Sequence, residues 1–311
     1  MKLWLAPLHG ITNYYFRNLL CRHAEGVDKA IAPFIPVRSK EKLNPEKWKD
    51  LLPENNETME VVPQLMGNIA SDFVDTIHAL SDMGYDNVNW NLGCPMKQIV
   101  RKKRGCGLMP FPDVVEKVVE TVISKTQCRF SLKIRLGMHV REEGEELVKR
   151  MNRYPLEFLV IHPRLGDWLY EESVDLDEFE KLYHLTNHEV IYNGDIIDQI
   201  FFKSLLQRFP QCNQWMIGRG ILRNPFLAEQ LLTKDNYSDI RENYSERFLK
   251  FYFDLIDVLI HTRSENGTLS GLKELWHYFA HFWKIKEEDL RFLLRITNLK
   301  DFLNVSEKMM K

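Results

Sequence analysis

The sequence predicts a (β/α)8 TIM barrel that is followed by a small all-helical domain. Short apolar runs recur at intervals of roughly thirty residues, and each is followed by turn residues and a longer helical pattern. Eight such units account for about 230 residues, which is the usual size of this barrel. Beyond residue 234 the helical patterns continue without strands between them. An open, doubly wound parallel sheet is the alternative architecture.

Each predicted strand is a short run of apolar residues that is bounded by turn residues. The eight strands cover residues 2–6, 29–33, 61–65, 87–91, 130–134, 158–162, 189–192 and 215–218. The interval of residues 36–60 is rich in Lys, Glu, Asn and Pro and has little apolar periodicity. We therefore expect a long loop with at most a short helix there.

Segments with the apolar spacing of helices lie between the strands, and several begin at a capping residue or with proline in the first turn. They cover residues 13–22, 70–83, 112–126, 142–152, 177–185, 198–208 and 225–232. Three further helices are predicted at residues 243–261, 271–283 and 287–304. The prediction is thus a barrel domain of residues 1–235 and a helical domain of residues 236–311.

The composition is that of an ordinary globular protein, with 44% hydrophobic and 28% charged residues, which argues against disordered, collagen-like and coiled-coil chains. The formal net charge of −2 gives no global positive field, so a nucleic-acid site would have to be a local patch. The five cysteines lack the paired spacing of a zinc site, and the apolar N-terminal run is too short to span a membrane. We expect a cytoplasmic protein without a metal or a membrane contact.

Polar and glycine residues interrupt the apolar runs at the carboxyl ends of the predicted strands. They are residues 7–10, Gln64, residues 91–95, Lys133, Arg135, His162, Arg164, residues 193–195 and residues 218–220. In a βα barrel these ends meet on one face, which is where such barrels place their chemistry. The sequence therefore predicts one active-site face.

Two glycine clusters, at residues 193–195 and 218–220, follow the seventh and eighth strands. This is the usual phosphate site of the fold, because glycine lets backbone N–H groups approach the phosphate and Arg219 can pair with its oxygens. Either cluster alone is more often a plain turn. Together they favour a phosphorylated cofactor.

Lys133 stands among apolar residues, where a lysine is costly to bury unless an anionic or electron-rich group meets it. The alternative is a strand-end lysine that reaches solvent. His162 ends a similar apolar run, and a hydrogen-bonded core histidine is its default interpretation.

Cys94 lies between Gly93 and Pro95 at a strand end, where its thiol can face a pocket as a proton donor or a nucleophile. An inert buried thiol is the alternative. Lys97, Arg101, Lys102, Lys103 and Arg104 follow directly. Such a run is usually solvated surface, but beside the thiol it favours a polyanionic substrate.

Six motifs in order resemble those of the tRNA-dihydrouridine synthases, and the resemblance spans nearly the whole chain. They are Ala-Pro-Leu-His-Gly-Ile-Thr-Asn at residues 6–13, Asn-Leu-Gly-Cys-Pro at 91–95, Lys-Ile-Arg-Leu-Gly at 133–137, His-Pro-Arg at 162–164 with Tyr170 downstream, Asn-Gly-Asp at 193–195, and Met-Ile-Gly-Arg-Gly at 216–220 followed by Asn-Pro. The second of these is the most specific.

The resemblance implies an FMN enzyme that reduces a uridine of tRNA with NADPH as the electron donor. It makes Cys94 the general acid that supplies a proton to C5 of uracil, while hydride goes to C6. Asn91, Arg135 and Tyr170 fall where the family holds the flipped-out base. The expected FMN contacts are Pro7, Leu8, His9, Gln64, Lys133, His162, Asn193, Gly194, Asp195, Gly218 and Arg219.

The helical domain and the basic run that includes Arg101, Lys102, Lys103 and Arg104 are the expected tRNA contacts. A monomer is expected for an enzyme that must embrace a tRNA. Two other functions remain open at this stage. One is an FMN-dependent barrel oxidoreductase that acts on a small molecule, which gives no reason for the basic run or the helical domain. The other is a tRNA-binding protein without catalysis, in which Cys94 is only structural.

Overall fold

Parallel strands form one sheet in the computed structural model, which describes residues 1–42, 44, 48–233 and 237–310 and, for residues 237–243, the backbone alone. Within those residues the strands are β1 (Lys2–Leu5), β2 (Lys29–Ile31), β3 (Ile35–Pro36), β4 (Glu60–Val62), β5 (Gln64–Met66), β6 (Asn87–Leu92), β7 (Arg129–Gly137), β8 (Leu159–Leu165), β9 (Val190–Asn193) and β10 (Gln214–Ile217). The eight predicted strands are all present, and β3 is an addition.

The sheet closes into a ring through β4 and β5. Strand β1 pairs with β10 on one side and β2 on the other, β2 pairs with β4, and β5 pairs with β6. Only Pro63 separates β4 from β5, because proline has no N–H to give to the ladder. The Pro63 carbonyl still accepts a hydrogen bond of 2.8 Å from the Asn89 amide. The two pieces act as one barrel strand, and the predicted barrel is confirmed.

Helices cover the outside of the barrel. They are α1 (Tyr14–His23), α2 (Ala70–Asp82), α3 (Lys97–Val100), α4 (Pro112–Lys125), α5 (Glu142–Met151), α6 (Leu176–Leu185), α7 (Gln199–Arg208), α8 (Arg219–Arg223) and α9 (Leu227–Leu232). The side chains of Asp175 and Asp198 cap α6 and α7 by accepting from the backbone N–H groups of Glu178 and Phe201. The short helices α3 and α8 were not predicted.

The C-terminal part consists of α10 (Tyr237–Thr262), α11 (Glu265–Trp283), α12 (Glu287–Arg295) and α13 (Leu299–Met309). The prediction of one helix over residues 287–304 is wrong, because the chain leaves the helix at Ile296 and Asn298 caps a new one. The helix predicted from residue 271 begins at Glu265, after the Ser264 cap. The predicted domain boundary at residues 235 and 236 lies outside the described residues.

Alternate residues of the strands form two separate apolar layers, as the twofold period of a strand requires. Trp4 of β1 and Ala6, which directly follows that strand, point into the barrel, where they pack with Ile31, Val62, Phe158, Val160, Ile191 and Met216. Leu3 and Leu5 point outward and pack against the helices. The barrel interior is therefore a filled core that supports the residues above it.

The C-terminal helices pack against the first and last parts of the barrel. Helix α10 contacts α1, and α11 contacts α8. Arg263 donates to the Gly10 carbonyl at 3.3 Å and contacts the Tyr15 hydroxyl. In the parts of the chain that the structure describes, no helix has the length and apolar character needed to cross a bilayer.

Candidate active site

A cavity of about 70 Å³ opens at the carboxyl ends of the strands. It brings together ten residues that the sequence predicts as site residues, from both ends of the barrel domain. They are Pro7, Leu8, Lys133, His162, Tyr170, Asn193, Gly194, Asp195, Gly218 and Arg219. The other lining residues are Gly220, which belongs to the second predicted glycine cluster, and Ala6, Ile196 and Ile197, for which the sequence predicted no role in the site.

The two glycine clusters lie against one another at the cavity wall. A Cβ atom at Gly220 would lie 2.1 Å from the Ile196 carbonyl oxygen, so only glycine permits this approach of the two backbones. A Cβ atom at Gly218 would meet only Ala6 and Leu8, at 3.4 and 4.0 Å. The Asn193 side chain donates to the Met216 carbonyl at 2.9 Å, which joins the ends of β9 and β10. The wall is thus formed largely by backbone, and an atom in front of Gly218 would be in ordinary van der Waals contact with Ala6 and Leu8.

Lys133 lines the cavity, and within the described residues it forms no salt bridge. Burial, together with the nearby positive charge of Arg135, lowers the pKa of its ammonium group to about 7. A cation in this position is stabilised by an anionic or electron-rich ligand. The alternative of a lysine that simply reaches solvent does not fit this enclosure.

His162 and Asp195 belong to one network of charged and polar groups. Arg164 Nη1 lies 2.9 Å from His162 Nε2 and 3.1 Å from Asp195 Oδ1, and its second terminal nitrogen also pairs with that carboxylate. Arg219 donates to Asp195 Oδ1 at 2.6 Å. Burial holds the pKa of His162 well below its usual range, and the positive charges of Arg135, Lys133, Arg164 and Arg219 act in the same direction. His162 is therefore neutral.

A chain of buried amides connects the barrel interior to the loop of Cys94. Asn91 Oδ1 accepts the backbone N–H groups of Gly93 and Cys94 at 3.0 and 2.9 Å. Asn91 Nδ2 donates to Gln64 Oε1 at 2.8 Å, and Gln64 Nε2 donates to Asn89 Oδ1 at 2.8 Å. We call these three side chains, together with Ser131, the amide chain.

Ser131 ends the amide chain inside the barrel. Its hydroxyl accepts from Asn89 Nδ2 at 3.0 Å and donates to the Val88 carbonyl at 3.1 Å. Each amide is thereby fixed in one orientation, since every donor faces an acceptor. Gln64 is fully buried and does not line the cavity, and its side chain contacts Asn91 and Asn89.

Cys94 is held by both of its backbone polar groups. Its N–H donates to Asn91, and its carbonyl accepts the backbone N–H of Cys106 and the Cys106 thiol, both at 3.1 Å. Burial raises the pKa of the Cys94 thiol, which keeps it protonated near neutral pH. A protonated thiol suits a proton donor. Burial also raises the pKa of Cys106, to about 12.

Arg135 joins the Cys94 loop to the segment that carries Tyr170. Its Nε donates to the Gly93 carbonyl at 3.0 Å, and its Nη1 donates to the carbonyls of Leu165 and Leu169, each at 2.8 Å. Its Nη2 is buried and has no hydrogen-bond partner among the described residues. That nitrogen is the part of Arg135 that can meet a ligand.

Tyr170 lies over the cavity between two guanidinium groups. Its ring centre is 5.1 Å from Arg135 Cζ and 4.6 Å from Arg219 Cζ, which are cation–π distances. Nearly half of the residue, 48%, is exposed. An exposed aromatic ring in this place can stack on a planar ligand.

The remaining predicted residues lie outside the cavity. His9 is exposed and stacks on Phe34, with ring centres 4.9 Å apart. Arg101, Lys102 and Lys103 are exposed after α3, and Arg104 is half-buried. Asn68 Nδ2 donates to the carbonyls of Lys102 and Lys103, both at 3.1 Å. The basic run is therefore an ordered surface next to the Cys94 loop.

Sequence analysis did not identify Asn89 and Ser131, and it noted Arg164 without a role. The signal for all three is the twofold alternation of β6, β7 and β8. Asn89 alternates with Val88 and Trp90, which are fully buried on the outer side of the strand. A polar residue at an inward position of a barrel strand needs polar neighbours, and the register pairs Asn89 with both Gln64 and Ser131.

The described residues contain no group of three or more His, Cys, Asp or Glu that could hold a metal ion. The cavity instead presents cations, glycine backbone and aromatic surface. This donor set suits an organic anion with a planar ring system.

Comparisons with known proteins identify the family to which the chain belongs. A family model described as dihydrouridine synthase (Dus) matches residues 4–301. The tRNA-dihydrouridine synthase B of Pasteurella multocida (strain Pm70) is 27% identical over 244 residues, which are 76% of this chain and 71% of that protein. The protein of the same name from Escherichia coli (strain K12) is 25% identical over 236 residues, which are 74% of this chain and 71% of that protein.

Among solved structures, a morphinone reductase mutant in complex with tetrahydroNAD superposes with a TM-score of 0.53 at 10% identity and covers 74% of this chain and 86% of that one. At this identity the likeness shows the shared fold alone. The match of the family model over nearly the whole length shows more: this chain belongs to the dihydrouridine synthase family.

Proposed function

We propose that this protein is an FMN-dependent tRNA-dihydrouridine synthase that uses NADPH to reduce the C5=C6 bond of a tRNA uridine. The observation that carries the proposal is the protonated thiol of Cys94, which lies within electrostatic reach of the cavity-lining Lys133 in a member of this family. The two relatives described above are both named as enzymes that act on tRNA. The overall reaction consumes NADPH, one proton and uridine and yields NADP⁺ and dihydrouridine.

The residues of the cavity fit FMN. Lys133 has no carboxylate partner among the described residues, and the glycine backbone at Gly218 beside Arg219 lines the cavity and suits a phosphate group. Pro7 and Leu8 give the cavity an apolar wall. Bound FMN would supply the hydride that is transferred to C6 of the uracil.

Cys94 would supply the proton at C5. As hydride bonds to C6, the electron pair of the C5=C6 bond takes the proton from Sγ, and the thiolate that remains is reprotonated from solvent. The positive charges of Arg135 and Lys133 lower the pKa of this thiol against the effect of burial, so they also stabilise the thiolate. Cys94 is thus protonated before the proton transfer, and its thiolate is stabilised after it.

The uracil would be held by groups that surround the thiol. Arg135 Nη2 is a buried donor without a partner among the described residues, and the exposed ring of Tyr170 offers a stacking surface. Asn91 holds the Cys94 loop and stands directly beside it. To reach this place the base must leave its stack in the tRNA, and contacts to the basic run and the helical domain would offset that cost.

The test incubates purified protein with NADPH and unmodified tRNA and measures dihydrouridine by mass spectrometry after digestion of the RNA. We expect product from the wild type, and a rate about 10²–10⁴-fold lower from Cys94→Ala, with FMN and tRNA binding retained. Cys128→Ala serves as the matched control. It removes a half-buried thiol directly before the start of β7, whereas Cys94 follows the carboxyl end of β6.

Equal rates from Cys94→Ala and Cys128→Ala would contradict the role of Cys94 as the acid. A wild type whose flavin is bleached by NADPH but that forms no dihydrouridine would favour a small-molecule substrate. Tight tRNA binding by a protein that retains no flavin would favour a binding function without catalysis.

A further inference from the structure

We propose that Arg164 is a positioning residue that holds His162 as the neutral tautomer with its proton on Nδ1. His162 then serves as a hydrogen-bond donor to a carbonyl oxygen of the ligand in the cavity, and not as an acid. The identity of that ligand rests on the proposed function. The protonation state of His162 does not.

The tautomer follows from the chemistry of the pair. A guanidinium group remains protonated in proteins and carries only donors. Arg164 Nη1 lies 2.9 Å from His162 Nε2, so Nη1 donates and Nε2 accepts. A neutral imidazole whose Nε2 accepts a hydrogen bond carries its proton on Nδ1.

The guanidinium group of Arg164 is fixed from three sides. Its Nε donates to the Glu172 carbonyl at 2.6 Å, and its two terminal nitrogens pair with the two carboxylate oxygens of Asp195. The Arg164 side chain is only 2% exposed. Every nitrogen has a partner, so the group has no freedom to turn away from His162.

Asp195 in turn is held by its backbone conformation and by a hydrogen bond from Arg219. It follows Gly194 at the end of β9, its φ of 45° is unusual for a residue other than glycine, and Arg219 donates to its Oδ1 at 2.6 Å. The carboxylate thus links the end of β8, through Arg164, to the start of α8. The orientation of His162 depends on the same segment that forms the predicted phosphate wall.

The surroundings of His162 disfavour a second proton on its ring. Strand β7 contributes Lys133 and Arg135, β8 contributes Arg164, and α8 contributes Arg219. The ring centres of Tyr170 and His162 are 5.9 Å apart, and the Asp195 carboxylate is already bound by two arginines. An imidazolium would add a further positive charge to this group of cations.

His162 Nδ1 is the ring nitrogen left for a ligand. No group of the described residues bonds to it, and His162 lines the cavity. An N–H donor at this position matches a carbonyl oxygen, which both a flavin ring and a uracil present.

Nitrogen NMR of the full chain labelled with ¹⁵N-histidine tests the tautomer directly, because the two ring nitrogens have different shifts when protonated. The difference between wild type and His162→Gln identifies this residue among the ten histidines. We expect a neutral ring protonated at Nδ1 from about pH 5 to 8, with and without FMN. A ring protonated at Nε2, or one that titrates in this interval, would overturn the proposal.

Variants separate the contact with His162 from the ion pair. Arg164→Met removes the donor, and we expect a mixture of tautomers and roughly 2- to 10-fold weaker FMN binding, measured by quenching of flavin fluorescence. Arg164→Lys restores a donor and should recover the wild-type tautomer. Asp195→Asn removes the carboxylate but keeps the contact between Arg164 and His162, and it should leave the tautomer unchanged.

A wild-type spectrum in Arg164→Met would show that Arg164 does not determine the tautomer. If that variant does not fold, the wild-type spectrum still tests the tautomer, and a ring protonated at Nε2 still overturns the proposal. The spectra need no tRNA, so a wild type that has the expected tautomer but forms no dihydrouridine contradicts the proposed function alone.

Discussion

At the scale of single residues, Lys133 is a cation whose charge the described part of the chain leaves without a carboxylate partner. Burial and Arg135 lower its pKa to about 7, against about 10.4 for a free lysine. The free protein therefore holds this lysine only partly protonated at neutral pH. A negative or electron-rich ligand raises the pKa again, because it favours the charged form.

This coupling predicts that FMN binding takes up a proton. At pH 8 the free lysine is mostly neutral and the bound one is protonated, so affinity falls as pH rises through the pKa of the free protein. Titration calorimetry in two buffers of different ionisation enthalpy measures the uptake, which we expect to approach one proton per site. Lys133→Gln should lose the uptake and bind FMN more weakly. An unchanged uptake in that variant would assign the proton to another group.

At the scale of elements, the amide chain transmits the geometry of β5, β6 and β7 to the Cys94 loop. Gln64, Asn89 and Ser131 lie on inward positions of three adjacent strands, and all three are fully buried. A loop that carries an acid gains precision when its backbone N–H groups are bonded to a side chain of the rigid sheet. Asn91 makes that connection.

We expect Asn89→Leu to destabilise the protein and to loosen the Cys94 loop. The substitution leaves Gln64 Nε2 without an acceptor, which costs about 1–3 kcal/mol in the free energy of unfolding. Hydrogen exchange of the Gly93 and Cys94 amides should become faster, and chemical denaturation measures the loss of stability. Ser131→Ala should cost about 1 kcal/mol and change the exchange at Cys94 less, since the bonds of Asn91 remain.

Ser124→Ala, at an exposed position of α4, is the matched control for Ser131→Ala. Equal exchange rates in Asn89→Leu and the wild type would show that Asn91 holds the loop without support from the strands below it.

The elements were largely predictable because strands and helices of a barrel alternate with strong apolar periods. The break at Pro63 and the start of a new helix after Ile296 each depend on a single residue within an otherwise regular pattern. Apolar periodicity does not show such breaks. Strand β3 has only two residues, too few for a pattern. The contacts of the amide chain join residues 25 to 42 positions apart, so they required the register of the sheet.

Cavity-lining residues could be predicted where a polar side chain follows a strand end, as with Asp195, or interrupts an apolar run, as with Lys133. What the sequence could not show is which of them touch one another. Asp195 was expected to contact the cofactor, and the structure adds that it binds Arg164 and Arg219. Such pairs form between strands, and no spacing along the chain encodes them.

At the scale of the whole molecule, the net charge of −2 contrasts with the basic run that follows Cys94. Arg101, Lys102 and Lys103 are exposed, and no salt bridge occupies them within the described residues. A local cluster of this kind can bind phosphate groups although the protein as a whole is weakly acidic.

We expect the replacement of Arg101, Lys102 and Lys103 by glutamate to weaken tRNA binding and to reduce its salt dependence. Each lost phosphate contact lowers the slope of log affinity against log salt by about 0.7–0.9. Filter binding at several salt concentrations measures the slope, and bleaching of the flavin by NADPH should be unchanged. The same replacement of Lys125, Lys149 and Lys203, on outer helices, is the control. Equal slopes for both variants would show that the basic run is ordinary solvated surface and does not contact tRNA.

The closed ring of strands also has a consequence for synthesis of the protein on the ribosome. Strand β1 needs β10 beside it, and the register joins Leu5 to Ile217. At about 5–20 residues per second, the partner of the first strand emerges on the order of ten to forty seconds after it. During that interval one edge of β1 and its apolar side chains have no native cover. The nascent chain is therefore exposed to aggregation longest at its N-terminus, and fast translation or a bound chaperone protects that end most.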